Sequence, residues 1–188
     1  MQYLSEFDRH SLLKLAREAV TAAVSRGETP SHIPCDGVFA EKCGVFVTLH
    51  VRGRLRGCIG VVEPSEPLGE AITRCAASAS LEDSRFPPMR PGDLPFLHIE
   101  LSLLSPPAAI SLELIEIGRH GLLITRGQQR GLLLPQVAVE HHFTPEQFLR
   151  ETCRKAQLLP DAWQCPDALL QGFTCEVFSE PLAGTAQN

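Results

Sequence analysis

The chain has 188 residues, a formal net charge of −5, 44% hydrophobic and 21% charged residues, and a sequence pI of about 5.8. These are globular proportions, and the length suffices for one sizeable core, or for one core plus a small lobe. No basic run is present, which argues against a surface that tracks nucleic-acid phosphates. No apolar stretch approaches the roughly 20 residues of a bilayer span.

The seven cysteines (Cys35, Cys43, Cys58, Cys75, Cys153, Cys165 and Cys175) are odd in number, widely spaced and without a Cys-x-x-Cys pair. That pattern argues against a disulfide framework or a zinc knuckle. Glu6, Asp8, Arg9 and His10 interrupt the N-terminal stretch, so no secretory signal is expected there. The expectation is a reduced, soluble, cytoplasmic protein.

In chain order, Ser5 is placed to cap a helix whose apolar face is Leu12, Leu13, Ala16, Val20, Ala23 and Val24, with Gly27 as its stop. Residues 28–43 read as a loop. Val45 to Val51 is β-branched and aromatic, a strand, and Arg52-Gly53-Arg54 is a short turn. Leu55 to Val62 is the returning strand. Prolines 64 and 67 break it, and Pro67 opens a helix to about Leu81 whose buried face is made of small residues. A proline-rich loop, 83–95, precedes an alternating strand over Leu97 to Leu104. Gly118 to Gly121 reads as a turn. Leu122 to Thr125 and Gly131 to Leu134 form a second hairpin, and Thr144-Pro145-Glu146-Gln147 opens a helix to about Gln157. Phe173 to Phe178 is a last strand. No repeat and no interdomain linker is visible. Hairpins with single helices predict an α+β fold, an antiparallel sheet with flanking helices. It forms one domain over 1–182, with a small lobe in its middle and a flexible tail at 183–188.

The most distinctive stretch is Leu55-Arg56-Gly57-Cys58-Ile59-Gly60 on the returning strand. Strand alternation puts Arg56 and Cys58 on one face and Leu55 and Ile59 on the other. Glycines weaken a strand unless a bulge, a ligand or another backbone needs the room. Cys58 reads either as a small core residue or as a thiolate favoured by Arg56. The Asp83, Arg85 and Phe86 loop either satisfies backbone groups or holds an anion through Arg85. Glu100 shares a face with His98 and Ser102; it is either solvated or, in a cleft, a general base. His98 and Glu100 would need a third ligand to make a metal site. His120 either lines a mouth or exposes its ring. His141 and His142 would point apart on a strand. No dinucleotide fingerprint, P-loop or serine-hydrolase elbow is present.

The hexapeptide resembles the hallmark of the AMMECR family. Further matching blocks follow in order: Gly44 to Leu49, Asp83 to Pro88, Glu100 to Leu104, Gly131 to Val137 and Glu151 to Ala156. The resemblance runs from about Gly44 to Glu180. Ser84 stands where the family usually has proline, and Phe143 where it usually has tryptophan. The resemblance implies an AMMECR-like fold and a protein similar to component A of an AmmeMemoRadiSam system. The implied partners are Memo-type and radical SAM proteins. Two function classes stand open. One is a partner- or ligand-binding component, with Arg56, Gly57, Gly60, Asp83, Arg85 and His120 at the ligand. The other is an enzyme with Cys58 as nucleophile and Glu100 as base. A nucleic-acid role ranks third. No cofactor or metal is implied.

Overall fold

The structure, a computed structural model, describes residues 4–30, 32–63 and 65–181. The tail expected at 183–188 and Pro64, expected to help end the second strand, lie outside the described residues. The chain divides into two compact units, Met1–Leu103 with Glu176–Asn188, and Leu104–Cys175.

The first unit opens with helix α1, Glu6–Arg26. The Ser5 hydroxyl accepts the Asp8 N–H at 3.1 Å, and the Asp8 carboxylate accepts the Ser5 N–H at 3.1 Å. This reciprocal pair satisfies two of the helix's orphan donors. Gly27 ends the helix in the left-handed region at φ 68°. Strands β1 (Gly44–Val51) and β2 (Arg54–Val61) form an antiparallel hairpin, with Val51 opposite Arg54. Helix α2, Leu68–Leu81, begins one residue later than expected. Pro67 precedes it, and the Leu68 N–H donates to the Glu41 carbonyl at 2.8 Å. Strand β3, Leu97–Leu104, lies beside β1, so the strand order here is β2-β1-β3.

Val45, Val47 and Leu49 from β1, Leu97, Ile99, Leu101 and Leu103 from β3, and Ile72, Cys75, Ala76 and Ala79 from α2 share one core with α1. The alternation expected of β3 therefore holds, but Ser102 and Leu104 on its other face are buried as well.

The second unit carries β4 (Ala108–Ala109), β5 (His120–Arg126), β6 (Gln129–Leu133) and two helices, α3 (Pro135–Glu140) and α4 (Pro145–Lys155). Strand β7 spans Leu169–Ser179, and its Leu169–Thr174 stretch pairs antiparallel with β5. Helix α4 starts as its residues predict, with Thr144 and Gln147 in a reciprocal cap. Its buried Phe148 and Leu149 join Leu122 and Ala138 in a core.

Three local expectations are corrected. His120 is the first residue of β5 rather than part of a turn, and β7 begins four residues before Phe173. Residues 135–140 form a helix, because Pro135 supplies a pre-set φ at its first position. His141 and His142 consequently leave a helix end rather than a strand; His142 has φ 53° and the His141 ring stacks on Phe143 at 5.2 Å. The fold class is α+β, and the strand pairs within the hairpins are antiparallel. Among the described residues no helix is long and apolar enough to cross a membrane.

The tightest approach in the first unit is between β2 and α2. A Cβ built on Gly57 would stand 2.0 Å from the Ala79 carbonyl oxygen. The helix backbone thus occupies the room the glycine leaves. Gly57→Ala is expected to lower the unfolding free energy by about 1–3 kcal/mol, the range for overpacking. Gly92→Ala, where nothing lies within 4 Å, should stay within about 0.5 kcal/mol. Urea denaturation of both variants checks the contrast.

Candidate functional site

The hairpin carries a β-bulge that decides the geometry of the hexapeptide. Leu49 pairs with Gly57 but His50 pairs with Leu55, so Arg56 is the extra residue. The bulge corrects the expected division of faces. Leu55, opposite His50, turns outward and is 42% exposed, whereas Ile59 packs on the core. The outward face of the hairpin is Phe46, Thr48 and His50 on β1 with Leu55, Cys58 and Gly60 on β2. The space over Gly60 is filled by the Phe46 ring, whose nearest atoms would stand 2.4 Å from an added Cβ. Both hexapeptide glycines are therefore packed against the chain's own atoms.

β2 is the edge strand of its sheet. In an antiparallel pair, a residue's N–H and C=O point either both toward the partner strand or both away. At Cys58 they point away, and the loop after α2 supplies their partners. The Asp83 carboxylate accepts the Cys58 N–H at 2.8 Å, and the Arg85 guanidinium donates to the Cys58 carbonyl at 3.0 Å. Arg85 also grips Asp83 through two nitrogens, at 2.9 and 2.6 Å. The pair stands in for an absent neighbouring strand. Asp83 is 7% exposed, and the guanidinium beside it holds its carboxyl well below the usual carboxylate range, helped by the Cys58 N–H.

The Cys58 thiol is half-buried. Cys58 and Thr48 form the non-hydrogen-bonded kind of cross-strand pair, in which side chains come closest. The Thr48 hydroxyl accordingly donates to Sγ at 3.3 Å. The Arg85 guanidinium meets Cys58 at its backbone carbonyl. Arg56 donates to the Pro87 carbonyl and, at 3.2 Å, to the Pro88 carbonyl. Its guanidinium pins the proline-rich loop. Burial raises the thiols of Cys43 and Cys75 to about 11 and pushes that of Cys153 up. Cys35 is exposed.

The remaining candidates separate. Glu100 projects from β3 away from the core and is half-buried; among the described residues it makes no hydrogen bond to Cys58, Asp83 or Arg85. His98 places Nε2 2.7 Å from the Glu180 carbonyl. No cluster of three His, Cys, Asp or Glu side chains suited to a metal occurs among the described residues. His120 belongs to the second unit, where its Nδ1 accepts the Glu116 N–H at 3.0 Å and its ring lines a shallow pocket of about 250 Å³. That bond assigns the ring proton to Nε2. Sequence reasoning missed Thr48 as the sulfur's partner. The register shift brings it there, and the only sequence signal for a shift is a glycine inside a strand.

The AMMECR1 family model matches residues 13–178. The chain belongs to the AMMECR1 family. A protein of Methanothermobacter thermautotrophicus is 42% identical over 186 residues, covering 94% of this chain and 96% of the relative. Protein MK0488 of Methanopyrus kandleri is 44% identical over 179 residues, covering 90% and 86%. The crystal structure of the uncharacterized protein PH0010 from Pyrococcus horikoshii superposes with a TM-score of 0.81 at 40% identity, covering 90% of each chain. The match places the hexapeptide, the Asp83 to Pro88 loop and most of β7 inside the family region.

Asp83 gives a pH prediction with a definite sign. Its folded-state pKa is depressed, so its contribution is fully present well above the unfolded value of about 3.9. It is lost progressively as pH falls from there through the folded value. Wild-type stability should therefore drop below about pH 4 with a slope that Asp83→Asn reduces. At pH 7, Asp83→Ala should cost about 1–3 kcal/mol, because it leaves the Cys58 N–H without its acceptor. Denaturant titrations from pH 2 to 7, a range set about the carboxylate pKa, check both.

Proposed function

We propose that this AMMECR1-family chain is a non-catalytic binding component whose Leu55–Gly60 face docks a partner protein, in a pathway associated with Memo-type and radical SAM proteins. The observation that carries the reading is the spent chemistry around Cys58. Asp83 and Arg85 are committed to each other and to the strand edge, and Arg56 to two loop carbonyls. The hydrogen bond to Sγ comes from a threonine hydroxyl, which cannot take a proton near neutral pH. What the face offers is shape: an exposed Leu55, the Phe46 ring and a half-buried thiol on a rigid hairpin. The association with Memo-type and radical SAM proteins rests on resemblance alone.

Co-purification of tagged protein from its source should capture a Memo-type or radical SAM protein, and Leu55→Lys should abolish the capture. A clean negative counts against the docking role. With a net charge of −5, no submicromolar, steeply salt-dependent binding to DNA or RNA is expected near physiological salt.

A second reading has one observation in its favour, the Arg85 guanidinium bonded to the Cys58 carbonyl, on the same residue as the thiol. In that reading Cys58 is a reactive thiol. Native alkylation in a Cys35→Ser background separates the two. A reactive Cys58 labels ahead of the other cysteines and slows by about tenfold in Arg85→Ala, a change of the order a nearby charge imposes on a thiol. Labelling only after denaturation ends the thiol-enzyme reading.

A further inference from the structure

A cleft in the first unit, of about 900 Å³, has a lining unlike the acidic chain around it. Helix α1 contributes His10, Lys14 and Arg17, spaced four and three apart and so on one face. The β1–β2 turn contributes Arg52, and the segment before β3 contributes Leu94 and Phe96. Among the described lining residues Glu180 is the one acid. Its carboxylate is already satisfied: Arg17 holds both oxygens, one of them at 2.6 Å, and the Ile99 N–H donates at 2.8 Å. Lys14 reaches Glu18 only at 4.0 Å, with both side chains more than half exposed, a pairing of little strength. Lys14 and Arg52 therefore face the cleft with their charge uncompensated by the lining.

Arg52 is an independent pointer. The two-residue turn has Arg52 at φ 53° and Gly53 at φ 74°, both positive, a geometry that favours Asn-Gly or Gly-Gly. An arginine there adopts a left-handed conformation that side chains disfavour. The guanidinium lies over the Phe96 ring, 4.1 Å from its centroid. Stacking holds the fork in place while its N–H edge remains free to donate, an arrangement suited to bidentate capture of an oxyanion.

We propose that this cleft binds a small anion carrying at least two oxyanion groups, carboxylate or phosphate. Arg52 and Lys14 take the charges, and Leu13, Leu94 and Phe96 take the apolar body. Its lining shares no residue with the Cys58 group, so it stands or falls separately from the docking role above.

Calorimetry of the full chain against pyrophosphate, citrate and ADP tests it. Pyrophosphate carries the charge alone, citrate is a polycarboxylate, and ADP adds a ring. At least one should bind saturably with Kd below about 1 mM, and the double variant Arg52→Asn, Lys14→Gln should weaken it about tenfold or more. Asn suits the turn, so the thermal midpoint should hold within a few degrees while binding falls. A Kd of about 1 mM or weaker for all three probes, or a loss of affinity smaller than tenfold in the folded double variant, overturns the proposal.

Discussion

The hexapeptide depends on how the chain closes the open edge of β2. An edge strand presents unpaired N–H and C=O groups, and leaving them bare in a half-buried setting costs free energy and invites pairing with another chain. Here one acid and one arginine, two residues apart, supply an acceptor and a donor with the spacing that Cys58 needs. A neutral side-chain pair would satisfy the same groups less strongly, because hydrogen bonds to ionised partners are roughly twice as strong. The arrangement also protects itself. Asp83 stays ionised because Arg85 and the strand N–H both favour the carboxylate, and Arg85 stays oriented because Asp83 grips two of its nitrogens.

That closure works only if the loop after α2 reaches the strand, and Gly57 sets this. With no side chain at Gly57, the Ala79 turn of α2 comes against β2, and Asp83 follows four residues later at the helix exit. The small residues of α2, Ala71, Ala76 and Ala79, keep the helix close along its length. The bulge at Arg56 adds the second tether, freeing one side chain to reach the Pro87 and Pro88 carbonyls. Gly57, the bulge at Arg56 and the Asp83–Arg85 pair of the loop after α2 thus form one mechanical unit, assembled from two stretches of sequence.

Much of this was legible beforehand and some was not, for identifiable reasons. Ser5, Gly27 and Thr144 act through neighbours within a turn, so their caps could be read directly. The hairpins were legible from β-branched runs around short turns. The partition of Leu55, Arg56 and Cys58 between faces was not, because alternation assumes an unbroken register and the bulge is fixed by the partner strand. Arg56 reads as a neighbour of Cys58 because it is two residues away; the structure adds that its guanidinium holds the Pro87 and Pro88 carbonyls, and that Arg85, 27 residues on, bonds the Cys58 carbonyl. Helix α3 was hidden by its six-residue length, too short for a periodic pattern. Composition has the same blind spot. A net charge of −5 averages over the chain, and it cannot show that Lys14 and Arg52 are brought together while Glu180 is neutralised by Arg17.

The closed edge also bears on what the face can do. Once the backbone groups of Cys58 are satisfied by side chains, β2 has no free donor or acceptor there with which to add a further strand. At Cys58, recognition then falls to side chains rather than to strand addition. Apart from His50, those side chains are apolar or weakly polar: Leu55, the Phe46 ring, the Cys58 thiol and the Thr48 hydroxyl bound to it. Such a surface gains by excluding water, and its rigidity lowers the entropy lost on docking. Beside it, Asp83 and Arg85 are paired with each other and Arg56 is held by two loop carbonyls, so these groups set its shape.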